Sequence, residues 1–148
     1  MASTYLSLHY HLVFATKNRQ PLIGVEWRSR LHEYLGGTIQ GLEGYSEGVG
    51  GVADHIHMLV SLKSTHCLAD VMRELKKAAT DWVHREIQLP KFSWQEGYAA
   101  FTVSPTGRGG VKSYIGNQEE HHRNRSSKDE LLELLRLAEI DYDPFYFE

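Results

Sequence analysis

Alternation in the stretch Val52-Ala53-Asp54-His55-Ile56-His57-Met58-Leu59-Val60 constrains this chain more than any other feature. In a strand, successive side chains point to opposite faces, so His55 and His57 share one side and Ile56 and Met58 the other. Two imidazoles one strand-step apart can hold a single divalent metal, provided a third ligand comes from elsewhere. Taken alone, a His-x-His pair is also what a solvated sheet face carries. A third ligand is therefore the thing to look for in the rest of the chain.

Tyr5 to Phe14 alternates in the same way and reads as the first strand, with Leu6, Leu8, Tyr10 and Leu12 on one face and Tyr5, Ser7, His9, His11 and Val13 on the other. His9 and His11 form a second pair, and a neighbouring strand would bring either close to His55 and His57. Thr16 to Pro21 is a polar loop whose Lys17 and Arg19 can meet phosphates. Val25, Leu31, Leu35, Ile39 and Leu42 give helical spacing over 25–42. Tyr45 to Val52 reads as a strand, and the short Gly50-Gly51 link favours an antiparallel hairpin into 53–62. Leu68 to Ile87 is helical, with a core face that runs from Leu68 through Val71, Met72 and Leu75 to Val83. Its bases Arg73, Lys76, Lys77 and Arg85 lie away from that face, as either a wet surface or a phosphate contact. Pro90 breaks this helix, and 92–104 supplies a turn and the fourth strand.

Beyond the Pro/Gly-rich link 105–110, which carries Arg108, residues 111–123 read as a further helix bearing Lys112. Ser127 caps a last helix whose apolar side is Leu131, Leu134, Leu135 and Ala138. The aromatic tail 140–148 is expected to pack back on the body or on a partner subunit. The order strand, helix, strand, strand, helix, strand is the split βαβ plan. The expected fold is thus α+β and ferredoxin-like: a four-stranded antiparallel sheet with helices on one face, plus C-terminal helices, leaving the other face for a partner.

At 148 residues the chain suits one domain, 1–148. The single cysteine, Cys67, excludes an intrachain disulfide, no apolar run reaches the length of a membrane span, and a reducing cytoplasmic setting is expected. The net charge of -3 is unevenly spread: 63–128 carries 11 Lys plus Arg against 7 Asp plus Glu, and the remainder 5 against 12. One half can therefore present a basic surface.

The chemical constellation lies at 114–122. On a helix, Tyr114 and Gln118 stack on one face, with His121 and His122 one turn farther on. A tyrosine hydroxyl, with a reference pKa of about 10, is a poor nucleophile near neutrality and needs an electrophile made easier to attack. A metal held by the two histidines and Gln118 would polarise a phosphodiester in that way. A half-buried core tyrosine and a solvent-exposed glutamine are the plain alternatives.

Asp54-His55-Ile56-His57-Met58-Leu59-Val60, taken with Tyr114-Ile115-Gly116-Asn117-Gln118 and His121-His122, resembles the small single-tyrosine transposases of insertion sequences, the His-hydrophobe-His class that includes relatives associated with repetitive extragenic palindromes. The likeness extends to Tyr10-His11-Leu12-Val13-Phe14, to Trp94-Gln95-Glu96-Gly97-Tyr98 with Phe101, and to Ile140-Asp141-Tyr142-Asp143. The resemblance implies that His55, His57 and Gln118 are metal ligands and that Tyr114 is the nucleophile forming a 5′-phosphotyrosine. It implies Mg²⁺ or Mn²⁺ as cofactor, single-stranded DNA with a hairpin as substrate, and a homodimer, in which some relatives share active sites between subunits. Asp54, His121 and His122 are candidates for supporting positions around the ligands. Lys17, Arg19, Arg73, Lys76, Lys77, Arg108 and Lys112 are the candidate DNA contacts. Three alternatives stand beside this one: a non-catalytic single-stranded nucleic-acid-binding module, a domesticated repeat-specific nickase, and a metallohydrolase using His9, His11, His55 and His57.

Overall fold

The computed structural model describes residues 3–123 and 125–144. Four strands, β1 (His9–Ala15), β2 (Tyr45–Val52), β3 (His55–Ser61) and β4 (Ala99–Val103), form one antiparallel sheet in the order β2-β3-β1-β4. Helices α1 (Val25–Gly41) and α2 (Leu68–Trp82) are the two crossovers. This is the split βαβ plan expected from the sequence.

Register explains how the faces separate. Tyr10, Leu12 and Phe14 of β1 and Ile56, Met58 and Val60 of β3 point to the same side. There they meet Trp27, Leu31, Leu35 and Ile39 of α1 and Val71, Met72, Leu75 and Ala79 of α2 in the main core. Full burial of each large aliphatic side chain contributes roughly 1.5–3 kcal/mol, so this layer dominates the stability. Val25, expected on the buried stripe, is 71% exposed, and Trp27 takes its place.

The opposite face carries His11, His55, His57 and Leu59. Three helices lie over it: α3 (Arg108–Gly116), α4 (Gln118–His121) and α5 (Ser127–Leu137). Leu59, Val103 and Ile115 make a small second core beneath α3. The expectation that this face stays open for a partner is therefore corrected where the C-terminal helices cover it, because the histidines are too deeply buried to be a wet surface.

Several boundaries also move. The first strand starts at His9 rather than Tyr5, since pairing with β3 ends at His9 opposite Ser61, and Tyr5 is 89% exposed. The helix over 68–87 keeps α geometry only to Trp82 and finishes in a wider turn, Val83–Ile87, with Gln88 left-handed. The link 105–110 is a short turn, Pro105–Gly107, followed directly by α3, so Gly109 and Gly110 are helical. The helix expected over 111–123 breaks at Asn117. Ser126, not Ser127, caps α5, accepting from the amide of Asp129 at 3.1 Å. Of the apolar side expected for that helix, Leu135 is buried, Leu131 and Leu134 are partly so, and Ala138 is exposed. In the tail, expected to pack back on the body or on a partner, Ile140 and Tyr142 are exposed, and 145–148 lie outside the described residues. Among the described residues no helix is long and apolar enough to cross a membrane.

Candidate metal and nucleophile centre

Three imidazoles point the same ring nitrogen at one place. His55 and His57 reach it from β3, and His122 reaches it from just after α4. Behind each ring the other nitrogen is tied: His55 Nδ1 donates to Asp54 Oδ1 at 2.7 Å, His57 Nδ1 pairs with His11 Nε2 at 2.7 Å, and His122 Nδ1 donates to the carbonyl of Arg125 at 2.6 Å. Fixing one nitrogen orients the ring and commits the other to the centre, as in metal-binding histidines. Two oxygens complete the cluster. Gln118 Oε1 lies 3.0 Å from His55 Nε2 and 3.1 Å from His122 Nε2. Glu130 Oε1, from α5, lies 2.8 Å from His57 Nε2, 3.1 Å from His122 Nε2 and 3.3 Å from His55 Nε2.

These separations suit a metal. Adjacent donors around an ion with bonds of about 2.1 Å sit roughly 3 Å apart, and nitrogen with oxygen is a donor set for Mn²⁺ or Mg²⁺ with imidazole favouring the former. Ligand atoms of His55, His122 and Glu130 all fall within 4.8 Å of one another. Gln118 and His57 are contiguous with that group, so the expected set is brought together and enlarged. His55, His57, Gln118 and Glu130 are each 2% exposed or less.

Tyr114, on α3, donates its hydroxyl proton to Glu130 Oε2, which also accepts from Gln118 Nε2 at 3.2 Å. Its ring stacks on His121 with centroids 4.5 Å apart. The break at Asn117 turns Gln118 inward while leaving it beside Tyr114, so one short segment supplies both the phenol and an amide oxygen.

The charges follow from this packing. Burial would push the Glu130 carboxyl up, but hydrogen bonds from His55 and His57 outweigh it and hold the group far below the usual carboxylate range. Burial works against a charged His55 too, yet Asp54 and Glu130 raise it to about 9. Burial lowers His11 to about 3, reinforced by His57, and burial lowers His57 as well. Burial and the neighbouring Glu130 carboxylate push the Tyr114 phenol above its usual range. Asp54, against its own desolvation, is held low by His55 and Ser127.

The supporting positions fall as follows. Asp54 lies in the β2–β3 turn and orients His55; it also accepts from Ser127 Oγ at 3.1 Å, which joins the turn to the start of α5. His122, expected around the ligands, is itself in the donor cluster, and His121 packs on the Tyr114 ring. Glu130 was missed. Its one sequence signal is that it stands four residues before Leu134, on the stripe that faces inward. His11, read only as a neighbour, is the group behind His57.

The basic candidates divide. Arg19 donates to Ser127 Oγ at 3.2 Å, close to the centre, and Lys17 is exposed on the same turn. Arg73, Lys76 and Lys77 belong to α2, on the sheet face away from the histidines; Arg73 pairs with Asp70 at 3.0 Å, and Lys76 donates to the carbonyls of Gln95, at 2.9 Å, and Gly97. Arg108 is engaged by Glu47. Lys112 is exposed, its stem against Gly48 of β2.

Residues 4–118 match the profile of the family described as "Transposase IS200 like". The chain is 26% identical over 123 residues to the ISDra2 transposase TnpA of Deinococcus radiodurans, covering 76% of this chain and 85% of that protein. A crystal structure of a protein assigned as a transposase from Deinococcus radiodurans R1 superposes with a TM-score of 0.63 at 24% identity, over 80% of this chain and 96% of the other. A REP-associated tyrosine transposase bound to a REP hairpin superposes with a TM-score of 0.57 at 14% identity, over 79% of this chain and 72% of the other. At such identities these two likenesses speak to the fold.

Proposed function

Because the chain belongs to the IS200-like transposase family, we propose that it cleaves and rejoins single-stranded DNA by metal-dependent strand transfer, with Tyr114 as the nucleophile. The observation that carries this reading is the shared carboxylate: Glu130 touches the Tyr114 hydroxyl with one oxygen and three imidazole nitrogens with the other. His55, His57 and Gln118 hold Mg²⁺ or Mn²⁺, joined by His122 and Glu130. When bound, such an ion polarises a phosphodiester and stabilises charge on its oxygens.

In the reaction the bond from Tyr114 Oη to phosphorus forms and the bond from phosphorus to the 3′-oxygen breaks, leaving a 5′-phosphotyrosine and a free 3′-hydroxyl. The reverse attack rejoins strands without external energy. Asp54 and His11 keep His55 and His57 aimed at the centre, and α5 keeps water from it. The substrate is single-stranded DNA with a hairpin near the cut, a reading supported by the hairpin bound to the REP-associated relative. Lys17 and Arg19 are the expected candidates best placed to meet its backbone near the centre. The chain acts as one domain, in the cytoplasm, as a homodimer.

The test is incubation with labelled single-stranded DNA from the flanks of its own gene, with Mn²⁺ or Mg²⁺, followed by a denaturing gel of wild type and Tyr114→Phe. A denaturant-resistant protein-DNA adduct, lost in the variant while DNA binding persists, is expected. Cleavage without an adduct in both proteins would assign the attack to water instead. Binding without cleavage in either would leave a nucleic-acid-binding module, and cleavage without rejoining a nickase.

A further inference from the structure

The helix that carries the nucleophile is intrinsically weak. It spans only nine residues, three of them Gly109, Gly110 and Gly116, and has no acidic residue in its first turn; its one side-chain cap is at the turn that leads into it, where Ser104 Oγ accepts from the Gly107 amide at 3.1 Å. Each interior glycine costs roughly 0.5–1 kcal/mol relative to alanine. Isolated helices of this length do not persist in water. Something in the body of the protein must therefore hold α3 in place. At its C-terminal end that is Ile115, packed on Leu59 and Val103. At its N-terminal end the anchor is a carboxylate delivered by an irregularity in β2.

Pairing of β2 with β3 shifts register between Ser46 and Gly48, which leaves Glu47 as an extra residue. Side chains around it show the effect. Ser46 faces α1, where its Oγ is 3.4 Å from the position of a Cβ on Gly36, while Gly48 faces Lys112 and Gly50 faces Ile115 on α3. Regular alternation from Gly48 and Gly50 would send Glu47 to the α1 side. The bulge turns it to the α3 side instead, as bulges beside active sites re-aim a side chain. There Glu47 Oε1 accepts from Arg108 Nε at 3.0 Å and from Arg108 Nη2, and Oε2 accepts from His9 Nδ1 at 2.9 Å. The Glu47 side chain is 9% exposed and His9 11%. The contact thus joins β1, β2 and the first turn of α3.

We infer that Glu47 is a positioning residue: through Arg108 it clamps the first turn of α3 to the histidine-bearing sheet and so sets Tyr114 against the metal centre. This rests on the strand-transfer reading for its catalytic consequence, but the clamp itself does not. It accounts for two features that the centre leaves unused, the outer histidine of the His9/His11 pair and the arginine expected to contact DNA. A clamp of this kind acts on rate more than on binding, because it fixes a reacting group and touches no substrate. A misplacement of about 1 Å can cost on the order of 10²-fold in rate.

The experiment compares wild type, Glu47→Gln, Arg108→Ala and the swap Glu47→Arg with Arg108→Glu. Hydrogen exchange of the amides of 109–116 is followed together with adduct formation at saturating hairpin DNA, the half-saturating DNA concentration, and Mn²⁺ affinity by calorimetry. Expected in the single variants are at least tenfold faster exchange in α3 and a tenfold or larger fall in the rate of adduct formation. Half-saturation should stay within about twofold, Mn²⁺ affinity should fall by less than the rate because His55, His57, His122 and Glu130 stay in place while only Gln118 follows α3, and the swap should restore much of the losses. Unchanged exchange and rate in Glu47→Gln would overturn the inference. So would tighter DNA binding in Glu47→Gln with weaker binding in Arg108→Ala, since Arg108 would then be a DNA contact masked by Glu47. If wild type itself forms no adduct, the strand-transfer reading fails, and the exchange data still decide the clamp.

Discussion

Gly50→Ala is expected to separate Tyr114 from the His55, His57 and His122 cluster while leaving the sheet intact. Gly50 lies on β2 directly under α3, and a Cβ there would come within 2.1 Å of the Ile115 carbonyl oxygen and 3.0 Å of the Ile115 carbonyl carbon. Both are backbone atoms, so no rotamer change relieves the clash. Ordinary contact needs about 3.5 Å or slightly less, so α3 must lift by more than an ångström. The lift moves Tyr114, one residue before Ile115, and Gln118, three after it, away from His55 and His57. Overpacking of this type costs about 1–3 kcal/mol. A shift of about 1 Å at the reacting groups costs on the order of 10²-fold in rate. The assay is adduct formation on hairpin DNA together with a denaturant melt and Mn²⁺ titration. Gly48→Ala serves as the control, because its Cβ would meet only the stem of Lys112, at 3.5 Å. Gly50→Ala with wild-type stability, metal affinity and adduct rate would refute the seating of α3 described above.

Asp54→Asn keeps the turn but weakens the group that orients His55 and holds Ser127, so Mn²⁺ affinity should fall about 10–100-fold by calorimetry; an unchanged affinity would remove Asp54 from the ligand support. Burial, and then Arg28, lower His32 to about 4, so the unfolded chain binds a proton there before the folded one does. Its contribution is fully present above pH 6.5 and is lost as pH falls from 6.5 toward 4, by at most about 3 kcal/mol. Denaturant melts across that range should show the loss in wild type and a flatter profile in His32→Gln, and parallel profiles would count against it.

What could be read from the sequence, and what could not, follows from the range over which each signal acts. Strand alternation is local, so the faces of β1 and β3, and with them the convergence of His55 and His57, were legible residue by residue. Tyr114 and Gln118 were legible as an i, i+4 pair, although the chain reaches that proximity across a break at Asn117 that a continuous helix pattern hides. Glu130 was not legible, because in the run Glu130-Leu131-Leu132-Glu133-Leu134-Leu135 a carboxylate reads as solvent-facing by default, and only partners outside its own helix, three imidazoles with the Tyr114 hydroxyl and the Gln118 amide, make its burial favourable. The same limit applies to charge. Amphipathic spacing located the wet side of α2 and therefore Arg73 and Lys77, but the spacing of one helix does not say on which side of the sheet that helix lies. The crossovers put α1 and α2 together on the Ile56/Met58 face, and Arg73 and Lys77 of α2 are then separated from the histidines by the thickness of the sheet. Arg108 shows the converse case. It stands at the start of the tyrosine helix, where a DNA contact would be expected, yet a single extra residue in β2 supplies the carboxylate that engages it. A bulge leaves almost no trace in hydrophobic patterning, because it changes the direction of one side chain and not the composition of the strand. Residues aimed by such local irregularities are therefore where a reading from sequence falls short, as the Glu47–Arg108 contact at the start of the Tyr114 helix shows.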